Sequence, residues 1–267
     1  MTLFQAFILG LLQGLAEFLP ISSSAHLALA PWLFGWPEPG LAFDVALHVG
    51  TLVAVLGYFR AEWARLARAA WNVSRNLKAE TPEEWRAVYI AMATVPGVIA
   101  GILLQKQAEQ AFRAPVLIAQ ALIVMGAVLW LVDRFAPRDR ALGAIRARDA
   151  ILIGCAQAFA VVPGVSRSGA TISAGRALKL DREAAATFSF LMSMPIIAGA
   201  AAFEGRHLIH TPFFGMPLVV GVLTSAIAGW FAIAALLRYV SHRSYGIFAL
   251  YRLVLGAVVI WVIHARG

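Results

Sequence analysis

Two short stretches hold most of the residue types that could perform chemistry in this chain of 267 residues. The first runs from Gln13 to His26 and places the Glu17 carboxylate, the three hydroxyls of Ser22–Ser24 and an imidazole in an otherwise apolar segment. An acid, hydroxyls and an imidazole this close together could carry nucleophilic or acid–base chemistry. Each serine could instead cap a helix, His26 could donate to a backbone carbonyl, and Glu17 could line a pore.

The second stretch, residues 163–171, reads Pro-Gly-Val-Ser-Arg-Ser-Gly-Ala-Thr. Its glycines would let backbone N–H groups approach an anion, and a helix that begins after the turn would add its positive end. Arg167 offers a planar fork suited to phosphate or carboxylate, and the alternative is a side chain that snorkels to the interface. Ser166, Ser168 and Thr171 are candidate donors to a phosphate, although each could merely cap the helix.

Composition defines the setting of both stretches. Hydrophobic residues make up 61% of the chain and charged residues 13%, with a mean hydropathy of +0.77, whereas soluble domains carry about 25% charged residues. These values predict an all-α polytopic membrane protein. The net charge of +8 is concentrated in loops between apolar spans, as in cytoplasmic loops that face anionic lipid, so we expect no nucleic-acid partner.

Six stretches are long enough to cross a bilayer core, which needs about 20 residues. They are residues 43–60, 86–105, 115–133, 184–204, 214–237 and 246–264. Two further apolar stretches, 3–33 and 149–180, are interrupted midway by the polar, proline-containing segments described above. Because non-helical backbone at membrane depth must be buried in protein or line a wet cavity, we interpret both as re-entrant helical hairpins.

The distribution of lysine and arginine predicts an inverted repeat. Basic residues crowd the loops near 60–86, 134–148 and 238–243, which places these loops in the cytoplasm. The first hairpin then enters from outside and the second from inside, with both termini outside. The chain is a single membrane domain, 1–267, with one repeat at about 1–135 and the other at about 149–265. Aligning Gln13 with Gln157 also pairs Ala16 with Ala160, Ser22 with Ser166, and Ser24 with Ser168.

Inverted-repeat proteins place their sites near the midplane, where the broken helices of the two halves meet. We therefore expect one composite site, in which a phosphate-sized cradle faces a carboxylate, and we expect it to hydrolyse a phosphoryl ester or a pyrophosphate. A divalent cation, Mg²⁺ or Ca²⁺, would be held by Glu17 and partly by substrate phosphates. Asp44 and His48 either join this site or form a local hydrogen bond. Arg252 pairs with Glu204 or with a second phosphate.

At these residues the sequence resembles the undecaprenyl-diphosphate phosphatases, the bacitracin-resistance membrane phosphatases of bacteria. Residues 13–26 resemble the family motif (Glu/Gln)-x-x-x-Glu with its following Ser-Ser and His, and residues 163–171 resemble Pro-Gly-x-Ser-Arg-Ser-x-x-Thr. Residues 43–50 and 188–191 and the pair Tyr251-Arg252 also fit, so the resemblance covers nearly the whole chain.

The resemblance implies hydrolysis of undecaprenyl diphosphate to the monophosphate and inorganic phosphate, which recycles the carrier lipid of cell-wall synthesis. It also implies a divalent cation and an active site that opens to the periplasmic or outer face of the bacterial inner membrane. Carried over by motif, the roles are Glu17 and Gln13 in metal binding or acid–base work, Ser23 as nucleophile, His26 as base or acid, and Arg167 with Ser166 and Thr171 as phosphate clamp. Gln13 stands where some members have glutamate, which weakens any mechanism that needs two carboxylates.

Three points stay open in the sequence. A secondary transporter or a flippase of an anionic lipid is the rival function, because inverted repeats also favour transport. The nucleophile is either a serine or a metal-activated water. The chain is either a monomer or a homodimer. A purely structural scaffold is disfavoured, because ionisable groups at membrane depth are costly and usually functional.

Overall fold

The computed structural model describes residues 1–109, 111–208 and 215–266, without the side chains of residues 41, 105, 106, 108, 109, 111 and 203–208. Eleven α-helices follow one another in this part of the chain. They are α1 Leu3–Phe18, α2 Ser23–Phe34, α3 Leu41–Tyr58, α4 Arg60–Asn76, α5 Pro82–Glu109, α6 Pro115–Phe135, α7 Ala147–Ala158, α8 Arg167–Ala177, α9 Arg182–Leu208, α10 Met216–Val240 and α11 Gly246–Arg266.

Both predicted hairpins are helix pairs that are broken before a proline. Helix α1 ends at Phe18, and Leu19 takes the extended conformation that a following proline enforces. Helix α7 ends at Ala158, and after a 3₁₀ turn Val162 is likewise extended before Pro163. The sequence therefore predicted both interruptions correctly, because proline constrains its neighbour locally.

Five helices are long and apolar enough to cross a membrane: α5 (as Pro82–Leu104), α6, α9 (as Arg182–Ala202), α10 and α11. A sixth span is reached if α3 and α4, which bend by 88° at their junction, count as one. These helices confirm a multi-pass, all-helical membrane protein in the described residues. The segment after Arg60 was expected to be a loop, but it forms α4 because Trp63, Leu66 and Ala69 recur on one face, and Leu66 and Ala69 are buried.

Helices of the two halves pack against each other. Helix α1 packs on α10 and α7 on α5, while α3 packs on both α10 and α9. Two close approaches depend on glycine: a Cβ at Gly154 would lie 2.5 Å from the carbonyl oxygen of Ala93, and one at Gly10 would collide with the Gly221 carbonyl. Large apolar side chains such as Phe4, Leu103 and Trp261 point outward, as a lipid-facing surface requires.

A buried charge cluster anchors the C-terminal end of α8. Asp133 accepts hydrogen bonds from Arg182 (Nη2, 2.7 Å) and from Arg176 (Nε, 3.2 Å), and its second oxygen also accepts from the backbone N–H of Tyr245. Because every oxygen of this buried carboxylate has donors, the cluster fixes α6, α8, α9 and the start of α11 relative to one another.

Candidate functional site

The break of the first hairpin sets Ser23 at the first position of α2. Ser22 precedes it with φ of +76°, a conformation that residues other than glycine rarely adopt. The Ser22 hydroxyl caps α2 by accepting from the backbone N–H of Ala25 (3.3 Å). Glu17 lies in the last turn of α1, and the chain reversal turns the hydroxyl of Ser23 back onto its carboxylate.

The second hairpin repeats this construction around Arg167. Gly164 has φ of +97° and Ser166 has φ of +70°, and the Ser166 hydroxyl caps α8 by accepting from the N–H of Gly169 (3.0 Å). Arg167 is then the first residue of α8, in the position that Ser23 holds in α2. In each hairpin the strained serine thus fixes the position of the residue that follows it, Ser23 in the first hairpin and Arg167 in the second.

The tips of the two hairpins, residues 19–22 between α1 and α2 and residues 162–166 before α8, meet at Glu17. Its Oε1 lies 3.1 Å from the Nη2 of Arg167, and its Oε2 accepts hydrogen bonds from Ser23 Oγ (2.6 Å) and Gln13 Nε2 (3.2 Å). Glu17 is 6% exposed and Gln13 is fully buried. The structure therefore brings Glu17, Ser23 and Arg167 together in one place, as the composite site requires.

Backbone contacts hold the tips in register. The N–H of Gly164 donates to Ser22 Oγ (3.1 Å), and Ser168 Oγ donates to the carbonyl of Leu19 (3.1 Å). Ser22 and Ser168 thus bridge the two hairpins through their hydroxyls, which is more than the local capping that either residue type performs alone.

Arg252, from α11, ties both tips to the bundle. It is fully buried and donates to the carbonyl oxygens of Pro20 (3.1 Å), Gly164 (2.7 Å), Val165 (2.9 Å) and Leu122 (3.3 Å). Its guanidinium is thus engaged by backbone from both hairpins, and each of its three nitrogens donates to a carbonyl. The expected partner Glu204 lies outside the described side chains.

A cavity of about 480 Å³ opens beside the Glu17–Arg167 contact. Its polar lining consists of Glu17, Ser23, Ser24, His48, Gln157, Ser166 and Arg167. Its apolar lining comes from α5 and α9, including Val98, Ile102, Ile196, Ile197 and Ala200. The cavity therefore has a polar end suited to an anion and an apolar wall suited to a hydrocarbon chain.

His26 lies apart from this cavity. Its Nδ1 donates to the carbonyl of Ser22 (2.7 Å), and its Nε2 lies 2.6 Å from the hydroxyl of Tyr251, so that both ring nitrogens are engaged. Since Nδ1 carries the proton, the neutral ring accepts from the tyrosine. Of the two alternatives for His26, the structure has the hydrogen bond to a backbone carbonyl.

Thr171 and Ser189 support Arg167 of the second hairpin. Thr171 Oγ1 donates to the carbonyl of Arg167 (2.8 Å) and lies 2.7 Å from Ser189 Oγ. The carbonyl of Ser189 in turn accepts from Arg167 Nη1 (3.2 Å). Arg167 Nε is buried and has no hydrogen-bond partner among the described residues, so the guanidinium keeps donor capacity for a further anion.

Sequence reasoning did not assign two residues that the site contains. Gln157 lines the cavity, and the alignment of the repeats, which pairs it with Gln13, was the signal for it. Tyr251 belongs to a pair that fits the family, but nothing local indicated its contact with His26, 225 residues away. Asp44 lies outside the cavity lining and pairs with Arg113 (3.2 Å).

The metal expected at Glu17 can be tested against the donors present. Across the described residues, no group of three or more His, Cys, Asp or Glu side chains could hold a metal ion. The amide oxygen of Gln13 is nevertheless buried without a partner in the described structure, next to the Glu17 carboxylate that its own NH₂ group contacts. One carboxylate and one free amide oxygen fit a hard cation such as Mg²⁺ or Ca²⁺, provided that the substrate completes its shell.

Fold and site together define a class: a multi-pass helical membrane protein in which a serine, a carboxylate and an arginine from two broken hairpins converge beside a half-apolar cavity. A family model described as bacitracin resistance protein BacA matches residues 6–258. The chain belongs to this family.

Curated relatives match along the full length. The chain is 53% identical over 266 residues to an undecaprenyl-diphosphatase of Gemmatimonas aurantiaca, with 100% of both chains covered. It is 49% identical to an undecaprenyl-diphosphatase of Pelotomaculum thermopropionicum, covering 100% of this chain and 98% of the relative. A third undecaprenyl-diphosphatase, from Moorella thermoacetica, is 47% identical with 100% of both chains covered.

Proposed function

We propose that this chain hydrolyses undecaprenyl diphosphate to undecaprenyl phosphate and inorganic phosphate, and so recycles the carrier lipid of peptidoglycan synthesis and confers bacitracin resistance. The observation that carries the proposal is the contact of Glu17 with both Ser23 and Arg167 at the polar end of the cavity. Membership of the family and the name undecaprenyl-diphosphatase, which its full-length relatives carry, support the same substrate.

Ser23 is the proposed nucleophile and Glu17 its base. The Ser23 hydroxyl donates to Glu17 Oε2 at 2.6 Å, so the proton that the oxygen must lose already points at a carboxylate. The oxygen attacks the terminal phosphorus, a Ser–O–P bond forms, and the bridging P–O bond breaks to release undecaprenyl phosphate. Water then hydrolyses the phosphoserine and restores the hydroxyl.

Arg167 is the proposed phosphate clamp. In the absence of substrate one of its terminal nitrogens pairs with Glu17, which keeps two buried opposite charges compensated. An incoming phosphate can take over that nitrogen, since a guanidinium binds phosphate oxygens through parallel donors. The exchange removes the cationic partner from Oε1, so that the Glu17 carboxylate, whose Oε2 already accepts the Ser23 hydrogen bond, can take the serine proton as the substrate arrives.

The other predicted residues take supporting roles in this proposal. Ser166 faces the cavity and is assigned to the phosphate, whereas Ser22, Ser168 and Thr171 act on the substrate through the tips and the arginine that they hold. His26 is assigned to positioning, because its bonds to Ser22 and Tyr251 support the strained residue that precedes Ser23.

A divalent cation, Mg²⁺ or Ca²⁺, is the proposed cofactor. Glu17 and the free amide oxygen of Gln13 would hold it, together with oxygens of the diphosphate. When bound, it would neutralise phosphate charge and polarise the phosphoryl group. This assignment explains how a single carboxylate can face a polyanion without repelling it.

The membrane arrangement belongs to the proposal as well. We assign six spans and two re-entrant hairpins to an inverted repeat of about residues 1–135 and 149–265. Positive φ at both Ser22 and Ser166 supports it, as do the tight glycines Gly10 and Gly154, since both pairs are separated by the offset that aligns Gln13 with Gln157. The loop charges orient the site toward the periplasmic face of the inner membrane.

Phosphate release from undecaprenyl diphosphate by the detergent-purified protein tests the activity. We expect release that EDTA abolishes and Mg²⁺ or Ca²⁺ restores. Glu17→Ala and Arg167→Ala should abolish the release. The matched controls are Glu80→Ala and Arg75→Ala, which truncate an exposed glutamate and an exposed arginine and should leave the release unchanged. Absence of release by the unaltered protein, or full activity of either site variant, would contradict the proposal.

A transporter or flippase of an anionic lipid is the second candidate, which the packing of each half against the other favours. Translocation of a non-hydrolysable polyprenyl diphosphate analogue across vesicles, without phosphate release, would support it. Light scattering of the protein in detergent distinguishes a monomer from a homodimer.

A further inference from the structure

His48 holds an unusual position in the cavity. It lies on α3 and lines the polar end of the cavity beside Glu17. Its Nδ1 is 2.7 Å from the carbonyl oxygen of Asp44, and since a carbonyl only accepts, Nδ1 carries the ring proton. With the proton on Nδ1, the neutral form of the ring has its lone pair on Nε2. That nitrogen lies 3.6 Å from Oε2 of Glu17.

The distance of 3.6 Å between His48 Nε2 and Glu17 Oε2 can be compared with that of a hydrogen bond and with that of two ligands of one ion. It is longer than the N–H···O distance of a good hydrogen bond, about 2.7–3.2 Å. Two donors that each lie about 2.0–2.2 Å from one divalent cation are roughly 2.8–3.8 Å apart when the angle between them at the cation is about 90–120°. The Glu17–His48 pair thus has the spacing of two ligands of one ion.

The remote side of the ring has the support typical of a metal ligand. Histidines that bind metals almost always donate their other ring N–H to a carbonyl or a carboxylate, which fixes the tautomer. Asp44 supplies that carbonyl, and its carboxylate is tied to Arg113 (Nη2, 3.2 Å). The backbone that orients His48 is thereby anchored from outside the cavity.

We infer that His48 is a second protein ligand of the divalent cation and gives its site a nitrogen donor beside the oxygens of Glu17 and Gln13. The inference rests on the proposed function, because it concerns the cation assigned there. Imidazole suits first-row transition ions more than Mg²⁺ or Ca²⁺. Mn²⁺ is a first-row transition ion that accepts oxygen ligands as Mg²⁺ and Ca²⁺ do, so it can occupy the same site and report on the nitrogen donor.

Mn²⁺ itself is the probe. The detergent-purified protein is loaded with Mn²⁺, and pulsed electron paramagnetic resonance with ¹⁵N-histidine labelling detects directly coordinated imidazole nitrogen. The unaltered protein should show that coupling, and His48→Gln should lose it, with Mn²⁺ affinity lowered by about tenfold or more. His264→Gln is the matched control, since His264 makes the same bond to a carbonyl four residues back but is exposed; it should keep both signals.

The outcomes separate this inference from the proposed activity. Hydrolysis by a protein whose bound Mn²⁺ shows no histidine nitrogen, or whose coupling survives in His48→Gln, would overturn the inference and leave the activity standing. Nitrogen coordination by a protein that does not hydrolyse the substrate would support the inference and overturn the proposed activity. Failure to bind Mn²⁺ at all would also overturn the inference, and would indicate that His48 only forms an ion pair with Glu17 when protonated.

Discussion

The guanidinium of Arg167 lies 3.1 Å from the carboxylate of Glu17, although 150 residues separate them. Both side chains are buried, at 11% and 6% exposure. Each follows or precedes a helix break, so that the pair forms only when both hairpins reach the same point. The contact joins the two halves of the chain at the carboxylate that accepts the hydrogen bond of Ser23.

If the pair performs chemistry, restoring its charges should not restore activity. Arg167→Lys should lower kcat/KM by about a hundredfold or more, because an ammonium cannot offer parallel donors to phosphate oxygens. The exchanged double variant E17R/R167E keeps the ion pair but moves the base onto the wrong hairpin, and it should stay inactive. Regained phosphate release in the double variant would reduce the pair to a structural salt bridge.

Ser23→Ala should lower kcat by about a thousandfold or more if serine attacks, since nucleophiles are among the costliest residues to remove. Ser24→Ala is the control: Ser24 also lines the cavity, but its hydroxyl contacts Ser22 Oγ (3.3 Å) and not Glu17. Mass spectrometry of a rapidly quenched reaction should find phosphate on Ser23. Substantial turnover by Ser23→Ala would assign the attack to water.

Arg252→Lys should destabilise the protein and misplace both tips. Lysine has three donors on a single nitrogen, whereas the arginine serves four carbonyls, so at least one carbonyl loses its partner, which costs about 1–3 kcal/mol. Thermal unfolding in detergent and the kcat of the folded fraction measure the two effects. Arg266→Lys is the control, since Arg266 also donates to two carbonyls but is exposed; it should change little.

Gly154→Ala should separate α7 from α5. Its Cβ would lie 2.5 Å from the Ala93 carbonyl oxygen, and relief of such overpacking costs about 1–3 kcal/mol. Gly101→Ala, on α5, is the matched control, because nothing in the described structure lies within 4 Å of its added Cβ. It should hold or raise the unfolding temperature, and an equal loss in both variants would mean that glycine acts through flexibility.

Asp149, at the start of α7 and outside the spanning helices, should make stability depend on pH. Burial opposes its charge, but hydrogen bonds from Arg140 and from the N–H of Arg146 outweigh burial and hold its pKa below the ordinary value. A lowered folded-state pKa stabilises the protein above the unfolded pKa, about 3.9, and this stability is lost as pH falls through the folded value.

Asp149→Asn should therefore lower the unfolding temperature at neutral pH. The difference from the unaltered protein should shrink as the pH falls below the pKa of a free carboxyl group. The exposed Asp139→Asn is its control. A deficit in Asp149→Asn that is the same at all pH values would assign the loss to packing.

Local rules predicted much of the framework. A proline follows both Leu19 and Val162, and it forces the helix before it to end. The helices α5, α6 and α9–α11 are recognisable as spans from the length of their apolar segments. The segment of α4 was missed because its charge obscures the short apolar stripe that Leu66 and Ala69 bury. Hydropathy averages cannot detect such a stripe.

The candidate site was foreseen in composition and only partly in geometry. Types and spacing indicated Glu17, Ser23 and Arg167, and the repeat indicated that they meet. In the sequence both histidines follow a carboxylate within a few residues, His26 after Glu17 and His48 after Asp44. The sequence therefore does not indicate that His26 contacts Tyr251 whereas His48 faces Glu17. Which imidazole reaches the cavity depends on how α2 and α3 are rotated against their neighbours.

The sequence by itself determined the membrane class, the two helix breaks and the residue types of the site, because proline geometry and the cost of burying charge act locally. Only the tertiary structure decided the partners: Arg167 with Glu17, Arg252 with the carbonyls of both tips, and His48 in the place expected for His26. The physical reason is that such partners are fixed by the packing of different helices, and a linear pattern of residues carries no information on the distance between side chains of different helices.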